Sequence, residues 1–316
     1  MRLIETRASV ALALALLTNG IAAQEDKGNQ IMAQARKALG GEQRLNAVKA
    51  LSLRAGYQRE MSLPGMTGGG RATMMINGGP PTGDSSQITG ELEIDIELAG
   101  KYIKVDTSTG FMAMTRTEGF EGDRPFAHAA AANPGMRIQI DRPGDDPARL
   151  KQALQRNRAE VARLLLGILG STQSEFPVTY SYAGVAESAD GKADMIDVKG
   201  PEGFAARLFL DVQTHLPLML TYIAPEPRVV MRTAERGSTA ATAETRERAD
   251  ADRRQAEAAP QKMIEYRIFF SDYRDVGDLS LPHKIARGTA QKTTEEWEIK
   301  SYKINPALKA DRFKVS

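Results

Sequence analysis

The chain has 316 residues, of which 41% are hydrophobic and 26% charged, with a formal net charge of +2 at pH 7 and no cysteine. This balance is that of an ordinary globular protein with a sizeable core. The near-neutral charge gives no electrostatic reason to bind nucleic acid, and the lack of cysteine excludes disulfides, thiolate metal sites and a cysteine nucleophile.

The first segment has the pattern of a secretory signal peptide. Arg2 and Arg7 precede a short apolar run, Val10 to Leu17, and small residues follow it. A basic start, a short apolar centre and a small-residue end are typical of such a signal. We expect cleavage after Ala23, with Ala22 as the alternative, and export to the periplasm. No later segment is apolar enough to cross a membrane.

The chain after residue 23 begins with a predicted helix, and strands follow it. Residues Gln24 to Leu39 place Ile31, Ala35 and Leu39 four positions apart, which indicates a helix, and Gly40 and Gly41 end it. The first predicted strand is ALSLRAGYQ, residues 50–58.

The cleanest predicted strand is QITGELEIDIEL, residues 87–98. Its apolar residues are expected to share one buried face: Ile88, Leu92, Ile94, Ile96 and Leu98. The carboxylates between them are expected to face solvent: Glu91, Glu93, Asp95 and Glu97. Strict alternation of this kind indicates an antiparallel sheet with one buried and one wet face.

A longer helix is predicted from Asp145 to Leu169. Asp146 suits the N-cap, Pro147 the first helical position and Gly170 the stop. One stripe of this helix is apolar, and we interpret the opposite, arginine-rich face as solvated surface. Short strands resume after it, and a charged low-complexity insertion at about 225–262 interrupts them.

The order of these elements indicates an α+β fold. Sequential strands on short turns would form one large curved antiparallel sheet, with about ten or eleven strands, and a sheet of that width tends to curl. Its apolar side would then be concave, and the long helix is the obvious cover. Residues 24–316 are therefore expected to form a single domain.

The chain has three histidines, which are candidates for a reaction centre. His215 and His283 each adjoin a proline at the start of a predicted strand. They could pair with Asp211 or Asp272 as a metal or acid/base site, but no HxH or HExxH spacing occurs, so turn chemistry is favoured. His128 lies in a predicted small-residue loop. A hydrolase site around it is a further functional hypothesis, because loop residues often carry catalysis.

Three segments carry a resemblance to a known family: ARKALGGEQRLNAVKALSLRAGY, FLDVQTHLPLML and SDYRDVGDLSLPHKI. They are similar to exported proteins of the outer-membrane lipoprotein-sorting (LolA/LolB-like) superfamily. The resemblance spans most of the chain after residue 23. It implies an open half-barrel with helices as its lid and an acyl ligand between sheet and helices. The family pattern lacks a charged insertion like 225–262.

These observations predict a soluble periplasmic binding protein that holds a hydrophobic ligand, an acyl lipid or a lipoprotein, without catalysis, cofactor or metal. The candidate lining residues, chosen by strand alternation, are Leu51, Leu53, Tyr57, Leu92, Ile94, Ile96, Met112, Met114, Leu218, Leu220, Tyr266 and Trp297. The alternative hypothesis is an envelope regulatory or scaffold protein that binds a protein partner, with the charged insertion as its contact arm.

Overall fold

The computed structural model describes residues 5–60, 87–109, 113–131, 146–189, 191–226, 262–309 and 311–314. Within these ranges there are three α-helices, α1 (Glu5–Ala38), α2 (Glu42–Ala47) and α3 (Pro147–Leu169), and a 3-10 turn, Pro201–Gly203. The strands are β1 (Ala50–Glu60), β2 (Gln87–Glu97), β3 (Lys101–Ser108), β4 (Met114–Glu121), β5 (Arg124–Ala131), β6 (Thr179–Ser188), β7 (Gly191–Lys199), β8 (Ala205–Asp211), β9 (Pro217–Pro225), β10 (Met263–Val276), β11 (Leu279–Thr289) and β12 (Thr293–Ile304).

All twelve strands belong to one antiparallel sheet in the order β5-β4-β3-β2-β1-β12-β11-β10-β9-β8-β7-β6. The sheet is open, with β5 and β6 as its edges, and it forms a half-barrel partly covered by helices. The predicted α+β class with one large antiparallel sheet is confirmed. The strand that sequence analysis missed is β5.

Helix α3 crosses the concave face of the sheet. It begins as predicted, because the Asp146 carboxylate accepts a hydrogen bond from the Ala148 N–H at 3.0 Å, and Gly170 ends it in the left-handed conformation. Its contacts reach β4 and β5 on one side of the sheet and β8, β9 and β11 on the other. The side chains from Leu164 to Leu169 are buried around Gly167.

Helix α1 covers the β6 edge. Gly28 lies against the backbone of Tyr180 and Ser181, and the ammonium of Lys27 sits 3.5 Å from the ring centroid of Tyr182. The helix begins at Glu5, so it includes the segment for which we expect cleavage, and the signal peptide stays a prediction. In the described ranges, no helix is both long and apolar enough to span a membrane.

The outer face of β2 departs from the expected row of solvated carboxylates. Asp95 is 1% exposed, because the C-terminal segment returns across this face. Its carboxylate accepts hydrogen bonds from Ser52 Oγ at 2.6 Å, Arg54 Nη1 at 2.9 Å and Arg312 Nε at 2.7 Å. The carboxylate points outward, as alternation predicted, but it is an anchor for a distant segment instead of a solvated group.

Two predicted features fall on residues outside the described ranges. Met112 is one of the predicted lining residues, and residues 227–261 are nearly the whole of the predicted charged insertion. The alternative hypothesis of a partner-binding arm at this insertion therefore stays a prediction.

Candidate ligand site on the concave face

The predicted lining residues mostly share one interior beneath the helices. Eight of them are at most 3% exposed and belong to a single apolar cluster that includes the buried side of α3: Leu51, Leu53, Tyr57, Leu92, Ile94, Ile96, Leu220 and Trp297. Met114 and Tyr266 are only partly buried. The structure thus brings most of the set together as the floor of a covered concave face.

Leu218 is the exception to the alternation argument. The pairing of β8 with β9 shifts between Phe209 and Leu210, so that Leu210 lies opposite Pro217 and Phe209 opposite Met219. Leu218 is the extra residue of this bulge and is 39% exposed. A bulge inserts one residue and reverses which face the next one takes, so the prediction of Leu218 as a lining residue is wrong.

The concave face changes from apolar to charged along a single row of paired residues. On β1, β12 and β11 the row consists of Arg59, Glu295 and Arg287. It continues on β10, β9, β8 and β7 with Ile268, Leu220, Leu208 and Ile196, each at most 1% exposed. The interior is therefore amphipathic across the strands.

Arg59 is the most fully partnered cation of this interior. Its Nη2 lies 2.9 Å from Asp106 Oδ2 and 2.9 Å from Glu295 Oε1. The hydroxyl of Tyr57 donates to the other oxygen of Asp106 at 2.5 Å. Burial lowers the pKa of Arg59, but Glu295 and Asp106 outweigh it and raise that pKa above its ordinary value.

A second group of paired charges lies on β3 and β4. Glu118 has Lys104 Nζ at 2.8 Å and Arg116 Nη2 at 2.8 Å. Burial raises the pKa of Glu118, but Lys104 and Arg116 outweigh this and lower the pKa to about 2. This carboxylate is therefore charged throughout the neutral range.

Helix α3 contributes Glu160 to the same interior. Its Oε1 lies 2.5 Å from Arg287 Nη2, and the guanidinium of Arg287 stacks on the Trp297 ring at 4.6 Å. The indole N–H of Trp297 donates to Glu295 at 2.7 Å. Burial raises the pKa of Glu160, and the nearby cations Arg287, Lys104 and Arg163 lower it below its ordinary value.

Arg163, one turn after Glu160, faces inward as well. Its guanidinium lies 3.7 Å from the ring centroid of Tyr222, which in turn stacks on Tyr266 with centroids 5.3 Å apart. Burial lowers the pKa of Arg163. The prediction that the arginine-rich face of α3 is solvated surface is wrong for this residue, because α3 spans the sheet and turns part of that face towards β9 and β11.

Sequence analysis missed these inner charges altogether. The signal was present for Arg59, since strand alternation puts it on the same face as Tyr57, and for Glu295 beside Trp297. No comparable signal exists for Glu160 and Arg163, because the sequence does not show which side of the helix packs against the sheet.

The three histidines lie on separate parts of the sheet, in the β8–β9 turn, on β11 and on β5. His215 lies in the β8–β9 turn with φ 59, and its backbone N–H donates to the Asp211 carbonyl at 2.8 Å. The Asp211 carboxylate accepts from the N–H groups of Gln213 and Thr214, which confirms its role as a turn cap. His283 Nδ1 lies 3.1 Å from the Leu281 carbonyl. His128 lies on β5 opposite Thr117, so the predicted loop is a strand.

Among the described residues, no group of three or more His, Asp or Glu side chains is placed to hold a metal ion. Asp272 is engaged locally, since its carboxylate accepts from Arg274 Nη2 at 2.6 Å.

Comparison with known proteins gives matches in fold. No protein-family model and no curated protein matches the chain. Similar solved structures include a LolA superfamily protein from Nitrosomonas europaea, at 8% identity over 91% of this chain and 97% of that one, with a TM-score of 0.45. An outer membrane lipoprotein-sorting protein domain from Vibrio parahaemolyticus matches at 10% identity over 92% and 97%, with a TM-score of 0.46. A DUF1329 family protein from Desulfovibrio piger matches at 6% identity over 91% and 97%, with a TM-score of 0.44.

The LolA superfamily, which the three sequence segments resemble, thus also occurs among the similar solved structures. At identities of 10% or below, the likeness concerns fold alone.

Proposed function

We propose that this chain is a periplasmic binding protein that holds the acyl chain of a lipid or of a lipidated protein between the concave face of its sheet and α3. The observation that carries the proposal is the amphipathic interior. One half of the inner row is apolar, the other half is charged, and α3 is the element whose contacts bridge both halves of the open sheet. An amphiphile presents the same division between tail and head.

Helix α3 is buried at its end but exposed at its start, which favours binding by displacement of its first turns. Residues 146–149 at the start of the helix are exposed, whereas residues 164–169 at its end are all buried. At the middle of the helix, Asn157 Nδ2 donates to the Gly119 carbonyl at 3.2 Å and Arg158 Nη2 to Asp123 at 2.8 Å. Elements with few buried apolar contacts open at the lowest free energy.

The energetics suit a long-chain ligand. Each methylene that leaves water contributes about 0.8 kcal/mol, and the acyl chain would take over the apolar contacts that α3 gives up. The lining residues would be the buried members of the predicted set, such as Leu53, Ile94, Leu92 and Trp297. No bond is made or broken in this function.

The test is to look for a bound acyl ligand and then to measure binding. Protein purified from a bacterial periplasm is examined by native mass spectrometry and solvent extraction, and we expect a co-purified acyl lipid or lipopeptide. Stripped protein is then titrated with 11-(dansylamino)undecanoic acid. Trp297 is the single tryptophan and lies 2% exposed on the inner face, so energy transfer from it to the dansyl group reports binding in the interior.

We expect saturable transfer with one probe per chain and competition by palmitate. A matched control is Leu218→Ser, which changes an exposed leucine of the outer face and is expected to leave the titration unchanged. An unliganded mass together with no saturable transfer would mean that the concave face is a filled core and would contradict the proposal.

A further inference from the structure

Two arginines of the interior have hydrogen-bonding groups that no described residue satisfies. Arg163 Nε and Arg287 Nε are buried without a hydrogen-bond partner. Arg287 Nη2 forms an ion pair with Glu160 Oε1 at 2.5 Å. Buried polar groups without partners are uncommon and each requires an explanation.

Arg163 also lacks a compensating charge at contact distance. Within the described part of the chain, none of the ion pairs includes Arg163. Arg59, in the same interior, has two carboxylates at 2.9 Å. The pKa values of the two arginines reflect this difference, since that of Arg59 is raised by its carboxylates and that of Arg163 is lowered by burial.

Both arginines lie beside Glu160. Arg163 follows Glu160 by one turn on α3, and Arg287 Nη2 lies 2.5 Å from the Glu160 carboxylate. Arg59, Lys104 and Arg287 each have an inner carboxylate within 2.9 Å. Among the described ion pairs, none gives Arg163 such a partner.

We propose that Arg163 and Arg287 bind the anionic head, a carboxylate or a phosphate, of the amphiphile whose acyl chain occupies the concave face. This inference rests on the proposed function and adds the charge of the ligand and the place of its head. Guanidinium groups match the geometry of carboxylate and phosphate oxygens with paired N–H donors. A cationic head would instead meet two like charges, and a neutral head would leave Arg163 without a counter-charge at contact distance.

The position fits the tail as well as the head. Arg287 lies in the same inner row as Ile268 and Leu220, which are 1% and 0% exposed. Arg163 is stacked on Tyr222, which lies on β9 two residues beyond Leu220. The head would thus lie at the boundary between the charged and apolar halves of the face, and the tail would extend over the apolar half.

The experiment compares three probes of equal chain length by isothermal titration calorimetry on the stripped protein: dodecanoate, dodecyl phosphate and dodecanol. We expect at least one of the two anionic probes to bind about tenfold or more tightly than dodecanol, and the better one identifies the head group. Arg163→Gln is expected to abolish this preference, so that the anionic probes bind no more tightly than dodecanol, whereas Arg163→Lys, which keeps the charge, is expected to retain part of it. Arg207→Gln, which removes an exposed ion pair with Asp197 on the outer face, is the control.

The outcomes separate this inference from the proposed function. Equal binding of all three probes, or a preference unaltered in Arg163→Gln, would overturn the anion site and leave acyl binding intact. Failure of every probe to bind would overturn both.

A second measurement distinguishes ligand binding from a structural role: Arg163→Gln should unfold at the same temperature as wild type or higher without ligand, because it removes a buried uncompensated charge. A large fall in that temperature would show that stacking on Tyr222 is structural and would contradict the inference.

Discussion

At the scale of single residues, the interior carries charges that have been removed from water, and most of them are paired. Removing one partner of a buried pair leaves an uncompensated charge, which is much more costly than losing an exposed pair. Glu118 is the clearest case, because its side chain is 16% exposed and it has both Lys104 and Arg116 within 2.8 Å.

The depressed pKa of Glu118 predicts an acid-sensitive component of stability. The pKa of Glu118 is about 2 in the folded protein, whereas its ordinary value is 4.5. The contribution of this group to the free energy of unfolding is therefore fully present above pH 4.5 and is lost as the pH falls towards 2. The loss is on the order of 3 kcal/mol. In urea unfolding, Glu118→Gln should lower the free energy of unfolding at pH 7 by about this amount and flatten its decline between pH 4.5 and 2.

The control for this prediction is Glu91→Gln on the outer face, where the ion pair with Lys300 is exposed on both sides. Exposed pairs contribute about 0–1 kcal/mol, so little change is expected. An equally steep decline in Glu118→Gln and wild type would show that the pairing with Lys104 and Arg116 contributes nothing to folding.

At the scale of elements, the packing of α3 against β10 depends on a glycine, Gly167. A Cβ on Gly167 would overlap the ring of Phe270. The Gly167 carbonyl accepts from the Tyr273 hydroxyl at 3.5 Å, and the same hydroxyl donates to the Pro217 carbonyl at 2.7 Å. The glycine therefore sets the close approach of helix and sheet.

Gly167→Ala tests that close approach. Alanine is the better helix former by about 1 kcal/mol, but overpacking costs about 1–3 kcal/mol, so the variant should unfold at lower denaturant concentration than wild type. The double variant with Phe270→Leu should recover part of the loss, because the smaller side chain makes room. An increase in stability in Gly167→Ala alone would mean that the helix can shift without penalty.

At the scale of the whole molecule, α3 joins two halves of an open sheet, and the proposed function requires it to move. Its middle is held near the β4–β5 turn by the Arg158–Asp123 ion pair at 2.8 Å, where the Asp123 side chain is 87% exposed. The chain contains no cysteine, so introduced thiols can be joined selectively.

The double variant Arg158→Cys and Asp123→Cys, cross-linked with 1,1-methanediyl bismethanethiosulfonate, should lose binding of 11-(dansylamino)undecanoic acid and regain it on reduction. The same reagent across Lys300→Cys and Glu91→Cys, an exposed pair at 2.7 Å on the outer face, serves as the control and should leave binding intact. Full binding with the helix cross-linked would place the acyl chain elsewhere or show that α3 stays closed.

The amino-acid sequence by itself determined the features that depend on local energies. Alternation along β2 predicts its buried face, and Asp146 and Gly170 end α3 where they were expected, because caps and side-chain direction involve neighbours in the chain. The turn role of Asp211 followed in the same way.

Only the tertiary structure decided the features that depend on distant partners. The alanine-rich β5 is a strand because β4 pairs with it, and Asp95 is buried because Arg312, 217 residues away, returns to it. The inward direction of Arg163 and Glu160 depends on how α3 crosses the sheet. Such contacts bring together groups far apart in the chain, and their burial and charge pairing have no counterpart in the local pattern of residues.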